Sequence, residues 1–131
     1  MMYVLDTNTL IYFFKGMGRV ADSLLATPPQ KIAIPAIVLY ELEYGIARSS
    51  SPKKRRQQLA ELCALVKVQS FDQDAARHSA AIRVRLEKKG TPVGPHDLMI
   101  AGTALACSGV LVTSNTREFA RVPGLSVLDW F

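Results

Sequence analysis

The chain has 131 residues, of which 49% are hydrophobic, so it is long enough to bury a core unaided and too apolar to be a disordered segment. Two cysteines exclude a disulfide framework, and no apolar run reaches the length of a membrane span. Lys and Arg outnumber Asp and Glu by 16 to 11; the net charge of +5 suits a polyanionic partner but speaks to association and not to fold.

Taken in chain order, residues 2–5 read as an apolar, β-prone strand that stops at Asp6. A helix is expected over about 8–14 and a second over 18–26, ended by Pro28 and Pro29. KIAI, at 31–34, is a short strand. The following segment from Ala36 has helical spacing through Ile37, Val38, Leu42, Gly45 and Ile46. Ser51 and Pro52 have the chemistry of N-cap and first helical residue of another helix. Residues 67–69 form a weak strand, and a long helix follows that closes on Gly90, with basic residues near its C-terminus. TPVGP is a turn, HDLMIAGTALACSG a helix that again ends on Gly, and VLVTS the clearest late strand. A short helical turn at REFARVPG and an edge strand in LSVLDW complete the chain, with Trp130 and Phe131 packing back on the domain. Short strands alternating with helices predict an α/β sandwich with a mainly parallel sheet and helices on both faces. No linker, repeat or low-complexity segment interrupts it, so residues 1–131 are expected to form a single domain. Cys63 and Cys107 lie in apolar stretches and read as small buried hydrophobes. The N-terminus lacks the basic and apolar regions of a signal peptide, so the cytoplasm is the expected location.

Several acids fall in odd places. Asp6 ends a strand, where it can cap the next helix or stand at one corner of a charged site. Glu41 shares a helix face with Ile37, Val38, Leu42 and Gly45, whereas Glu43 points away. A carboxylate on an apolar face needs a metal, a basic partner or an opening to water. Asp97 begins a helix that is apolar over much of its circumference. Thr113, Ser114 and Asn115 follow the late strand directly, with Glu118 one turn beyond. In parallel sheets, the carboxyl ends of the strands form the crevice where ligands bind. If the strands before Asp6 and Thr113 are neighbours, Asp6 meets Asn115 or Glu118 there, and Glu41 and Asp97 lean over the same crevice. Clustered carboxylates repel one another and are stable chiefly with cations between them; oxygen ligands alone favour Mg²⁺ or Mn²⁺. Such an ion would activate water and align a phosphate, which is the chemistry of phosphodiester hydrolysis.

VLDTNTLIYF, ELEYG, VGPHDLMIAGTA and LVTSNTREFARVPGLSVLDW, in that order over essentially the whole chain, resemble a PIN-domain ribonuclease of the VapC toxin class. The resemblance implies a three-layer α/β/α PIN-like sandwich with a central, mainly parallel sheet of four or five strands. It implies an Mg²⁺- or Mn²⁺-binding quartet whose first three members match Asp6, Glu41 and Asp97. Where many relatives carry a fourth acid, this chain has Asn115, and Glu118 is the acid nearby. Asn115 is expected to position the site and Glu118 to contact metal directly or through water. Thr7, Asn8 and Thr113 are expected to orient the ligands. The resemblance further implies a homodimer, a cognate VapB-type antitoxin that blocks the site, and operator DNA bound only through the antitoxin complex. The substrate would be structured RNA, with VGPHD and NTREF pointing to initiator tRNA cut in the anticodon stem-loop.

Lys53, Lys54, Arg55 and Arg56 are candidate RNA backbone contacts, although a solvated helix face is the plainer account of them. His96, beside Asp97, is expected to pack or hydrogen-bond near its helix start rather than act as a general base. Two other classes fit the same residues: a PIN-like RNA-binding module that has lost catalysis, and an Mg²⁺ enzyme for a small phosphorylated substrate. The second lacks a glycine-rich phosphate loop in this chain.

Overall fold

A computed structural model describes residues 1–131. In chain order the elements are β1 (Tyr3–Leu5), α1 (Thr7–Lys15), α2 (Val20–Ala26), a single 3₁₀ turn (Pro29–Lys31), β2 (Ile32–Pro35), α3 (Ala36–Ala47), α4 (Pro52–Leu65), β3 (Lys67–Gln69), α5 (Gln73–Lys88), α6 (Pro95–Ala106), β4 (Val110–Val112), α7 (Thr116–Phe119) and β5 (Ser126–Leu128). Each segment expected from the sequence is present. The sheet has five strands in the order β3-β2-β1-β4-β5, and every pairing is parallel. Val4, Leu5, Ile34, Leu111 and Val112 are completely buried, which is why these strands read as continuous apolar runs: helices cover both faces.

The strand order follows from crossover handedness. From β1 the chain moves outward to β2 and β3, and from β3 it jumps across β1 to β4 and then β5. Right-handed crossovers in opposite directions place their helices on opposite faces. Hence α1–α4 form one layer and α5–α7 the other, the three-layer sandwich expected. A single cluster of 23 buried apolar residues joins both layers through the sheet. The point where strand order reverses lies between β1 and β4, the place where ligands bind in open parallel sheets.

Local sequence explains the closest packing. In mid-α6 Gly102 lacks a side chain because α5 lies against it: a Cβ there would sit 2.0 Å from Ser79 Oγ and 2.8 Å from the Ala75 carbonyl. Trp130 packs on Tyr3 and Phe131 on Tyr12, and the Phe131 carbonyl accepts from the Arg19 N–H at 2.9 Å. Two helix ends differ in detail from the sequence reading. Ser51 does stand at the N-cap of α4, with Pro52 first in the helix, but its side chain makes no capping bond; its own N–H donates to Ser49 Oγ. Beyond α6, the residue in the left-handed conformation is Ser108 (φ 54°), not Gly109. Gly109 is needed instead for its approach to β1, since a Cβ would lie 2.7 Å from Val4 Cγ2.

Candidate active site

Leu5 of β1 pairs with Val112 of β4, so Asp6 and Thr113 are the next residues out on adjacent strands at the C-terminal edge. The Asp6 N–H donates to the Val112 carbonyl at 3.1 Å, which carries the ladder one step further. Asp6 Oδ1 accepts from the Thr9 N–H at 2.9 Å and caps α1, while Oδ2 accepts from the Thr113 hydroxyl. One carboxylate therefore caps the helix and stands in the cluster. Asp6 is only 5% exposed, and burial raises its pKa; the bonds from Thr113 and Thr9 act in the opposite direction, and the Glu41 charge adds to the rise. Thr9 is locked in turn by donating its hydroxyl to the Val112 carbonyl at 3.0 Å.

Glu41 lies on α3, between buried Val38 and Leu42, while Glu43 faces solvent. Its two oxygens are held separately. Thr7 Oγ1 donates to Oε1 at 2.6 Å, and His96 Nδ1 is 3.2 Å from Oε2. Asp97 occupies the first turn of α6. Its pKa is raised from 3.8 to about 6, first by burial, then by the negative charges of Glu118, Glu41 and Asp6 in turn, and by a hydrogen bond with Glu118. Glu118, on α7, accepts from Asn115 Nδ2 at 2.6 Å. The Asn115 N–H donates to the Thr113 hydroxyl at 3.0 Å, and that hydroxyl donates to Asp6. A continuous relay thus ties Glu118 to Asp6 through Asn115 and Thr113.

Four acids distant in sequence accordingly form one electrostatic group. Of the expected orienting residues, Thr7, Thr113 and Asn115 each bond an acid of the group directly or through one intermediate. Asn8 is exposed and makes no side-chain hydrogen bond. Thr9 takes a supporting role that the sequence reading did not assign, while His96, expected to pack or hydrogen-bond near its helix start, does both, on Tyr40 and to Glu41. Thr9 was legible: its N–H lies three residues past an Asp at a helix start, the spacing of an N-cap bond. The His96–Glu41 pair spans 55 residues, and nothing local announces it.

The donor set is all oxygen, and the Asp97 pKa is raised to about 6, first by burial and then by the charges of Glu118, Glu41 and Asp6. Both properties fit a divalent cation, whose charge would relieve the repulsion. The side chains as placed do not form a closed ligand cage: no three acidic, His or Cys groups are spaced to hold a common ion. Thr113, Thr7, His96 and Asn115 each hydrogen-bond one oxygen of these acids and so fix their orientation.

The basic run on α4 divides in two. Arg55 donates to the Phe14 carbonyl and to Gln58, and Arg56 pairs with Glu43 at 3.3 Å. Lys53 and Lys54 are exposed and make no ion pair. A cavity of about 300 Å³ beside Glu41 is lined by Gly45, Lys15 and Arg55 among others, so open space and positive charge adjoin that acid. Cys63 and Cys107 are half-buried free thiols whose pKa values are pushed up by burial, which makes them poor nucleophiles.

Fold and site together define an α/β sandwich with an acidic, all-oxygen centre at the switch point of a parallel sheet. The PIN domain family matches residues 3–125, and the chain belongs to that family. It is 38% identical over 128 residues to the tRNA(fMet)-specific endonuclease VapC of Salmonella typhimurium, covering 98% of this chain and 97% of that protein. The structure of DNA-bound VapBC from Salmonella typhimurium matches with a TM-score of 0.93 at 37% identity, over 100% of this chain and 99% of that one. VapBC2 from Rickettsia felis, bound to a DNA fragment from the promoter, matches with a TM-score of 0.92 at 32% identity over the full length of both chains. No helix is long and apolar enough to cross a membrane.

Proposed function

We propose that this chain is a divalent-metal-dependent endoribonuclease toxin that cuts initiator tRNA in its anticodon stem-loop and so arrests translation. The observation that carries the reading is the single electrostatic group made by Asp6, Glu41, Asp97 and Glu118 at the switch point, where Asp97 is raised first by burial and then by the other three charges. These four residues would hold Mg²⁺, with Mn²⁺ as the alternative ion. When bound, the ion supplies Lewis-acid activation of water and neutralises charge at the scissile phosphate. The chain supplies the rest. Thr113 and Thr9 fix both oxygens of Asp6, Thr7 and His96 fix those of Glu41, and Asn115 holds Glu118. The net positive charge and the free Lys53 and Lys54 favour the RNA backbone.

Residues 1–131 act in this reading as one PIN domain, in the cytoplasm, as a homodimer. A cognate VapB-type antitoxin neutralises it, and operator DNA is bound through that complex. An apolar cavity of about 350 Å³ between α1, α2 and α4, lined by Phe13, Phe14, Leu24, Leu62 and Leu65 among others, offers a surface that the antitoxin would cover.

The test is to incubate the purified chain with initiator tRNA and Mg²⁺ and to map the product ends. Attack by water leaves a 5′-phosphate and a 3′-hydroxyl, and Asp6→Asn abolishes cleavage in a folded protein. A 2′,3′-cyclic phosphate, or full activity of Asp6→Asn, overturns the reading.

A further inference from the structure

Two acids of the site are each preceded in sequence by an aromatic ring, Glu41 by Tyr40 and Asp97 by His96. The two rings meet. Their centroids are 5.6 Å apart and their planes cross at 81°, so they form a corner at the rim of the acidic cluster. Both are open to solvent: Tyr40 is 56% exposed, and the His96 side chain 44%. The corner is rigid on one side, because His96 Nδ1 is committed to Glu41. Nε2 of the same ring makes no hydrogen bond within the chain. One turn along α3, Tyr44 is also 56% exposed, and the Arg48 guanidinium lies 5.4 Å from its ring centre, so the aromatic stripe that starts at the acids ends on a cation.

We infer that the Tyr40–His96 corner is a nucleobase site: an unpaired base beside the scissile phosphate stacks on Tyr40 and presents its edge to His96 Nε2. The inference rests on the ribonuclease reading and deepens it. Proteins read RNA sequence chiefly on unstacked bases, by stacking on aromatic rings and by hydrogen bonds to base edges. The corner offers both kinds of contact within one residue of two site carboxylates. Such a base would anchor the strand so that the adjoining phosphate falls over the acids. A nucleic acid suits this surface better than a second copy of the chain, because the stripe adjoins the reacting centre and terminates in Arg48, a cation placed for the phosphates that flank a bound base.

The experiment compares wild-type, Tyr40→Ala and Tyr40→Phe proteins on initiator tRNA, and on copies each carrying one abasic nucleotide in the anticodon loop. Tyr40→Ala should weaken tRNA binding and raise KM about 5- to 150-fold, the range expected for losing one stacked base. Tyr40→Phe should restore KM, which a hydroxyl-dependent role does not allow. One abasic position should weaken wild-type binding by the same factor and cost Tyr40→Ala nothing further, because both changes remove one contact. A wild-type KM in Tyr40→Ala, additive losses at every abasic position, or a change of oligomeric state in Tyr40→Ala overturns the assignment, the last by showing that a second copy covers the ring. Failure of the wild-type chain to cleave any RNA with Mg²⁺ removes the ribonuclease reading as well, whereas normal cleavage by Tyr40→Ala removes the corner alone.

Discussion

Replacing Asp97 by Asn should stabilise the metal-free protein while it destroys activity. The Asp97 carboxyl titrates near 6 in the folded chain instead of 3.8, because burial and three neighbouring acids disfavour its charge. A proton bound more tightly in the folded state stabilises the fold fully below the unfolded value of 3.8, and that stabilisation disappears as pH rises through about 6. Above that pH the charged carboxylate strains the site. At 1.36 kcal/mol per unit the shift corresponds to about 3 kcal/mol, and solvent screening of this partly exposed group reduces it to about 1–1.5 kcal/mol. Asparagine has nearly the same shape and no charge, so it removes the penalty. For a domain of this size the variant should melt about 3–6 °C above wild type near pH 8, and the gap should largely close near pH 4. The assay is calorimetry in chelator at both pH values. Adding Mg²⁺ near pH 8 should raise the wild-type melting temperature towards that of the variant, since an ion between the carboxylates relieves the same repulsion. A variant less stable than wild type near pH 8, or an equal gap at both pH values, refutes the claim that the four acids repel one another.

Thr113→Val leaves Asp6 Oδ2 and the Asn115 N–H without partners at a fully buried position; urea unfolding should show a loss of about 1–3 kcal/mol, and Thr113→Ser should recover most of it. Gly102→Ala pushes a methyl against Ser79 and should cost about 1–3 kcal/mol by the same assay; adding Ser79→Ala should recover only part, because the Ala75 carbonyl still crowds the site. Neutralising Lys53 or Lys54 should weaken tRNA binding and lower its salt slope by about one for each true phosphate contact, read from titrations at several salt concentrations. Arg56→Ala should leave that slope unchanged, because Arg56 is already paired with Glu43.

What the sequence disclosed and what it withheld divide along physical lines. Strands were legible because burial on both faces makes them continuous apolar runs, as in VLV at 110–112. The helix of Glu41 was legible because its apolar residues recur at helical spacing, and that spacing put Glu41 on the inner face and Glu43 outside. The acids stood out for the same reason, as charges where the pattern calls for apolar groups. The long-range bonds were not legible. His96 to Glu41, Thr7 to Glu41 and Thr113 to Asp6 join residues 34 to 107 positions apart, and each depends on strand order and helix placement. Gly109 illustrates a different failure. A glycine after a helix reads as a left-handed cap, but here Ser108 takes that conformation and Gly109 answers to a strand more than a hundred residues earlier.

The hydrogen bonds around the cluster, two of them from the expected orienters Thr7 and Thr113 and others from Thr9 and His96, support the acids unequally. Burying one unpaired carboxylate is costly, and crowding several is worse. Asp6 tolerates burial because two threonines bond its oxygens, and the same holds for Glu41 with Thr7 and His96. Asp97 has no such pair of donors among the protein's hydrogen bonds to its carboxyl, and it is the acid whose pKa climbs to about 6. The strain is therefore uneven. It is greatest at Asp97, where burial acts first and the charges of Glu118, Glu41 and Asp6 add to it, so a cation arriving at the rim gains most by neutralising charge there.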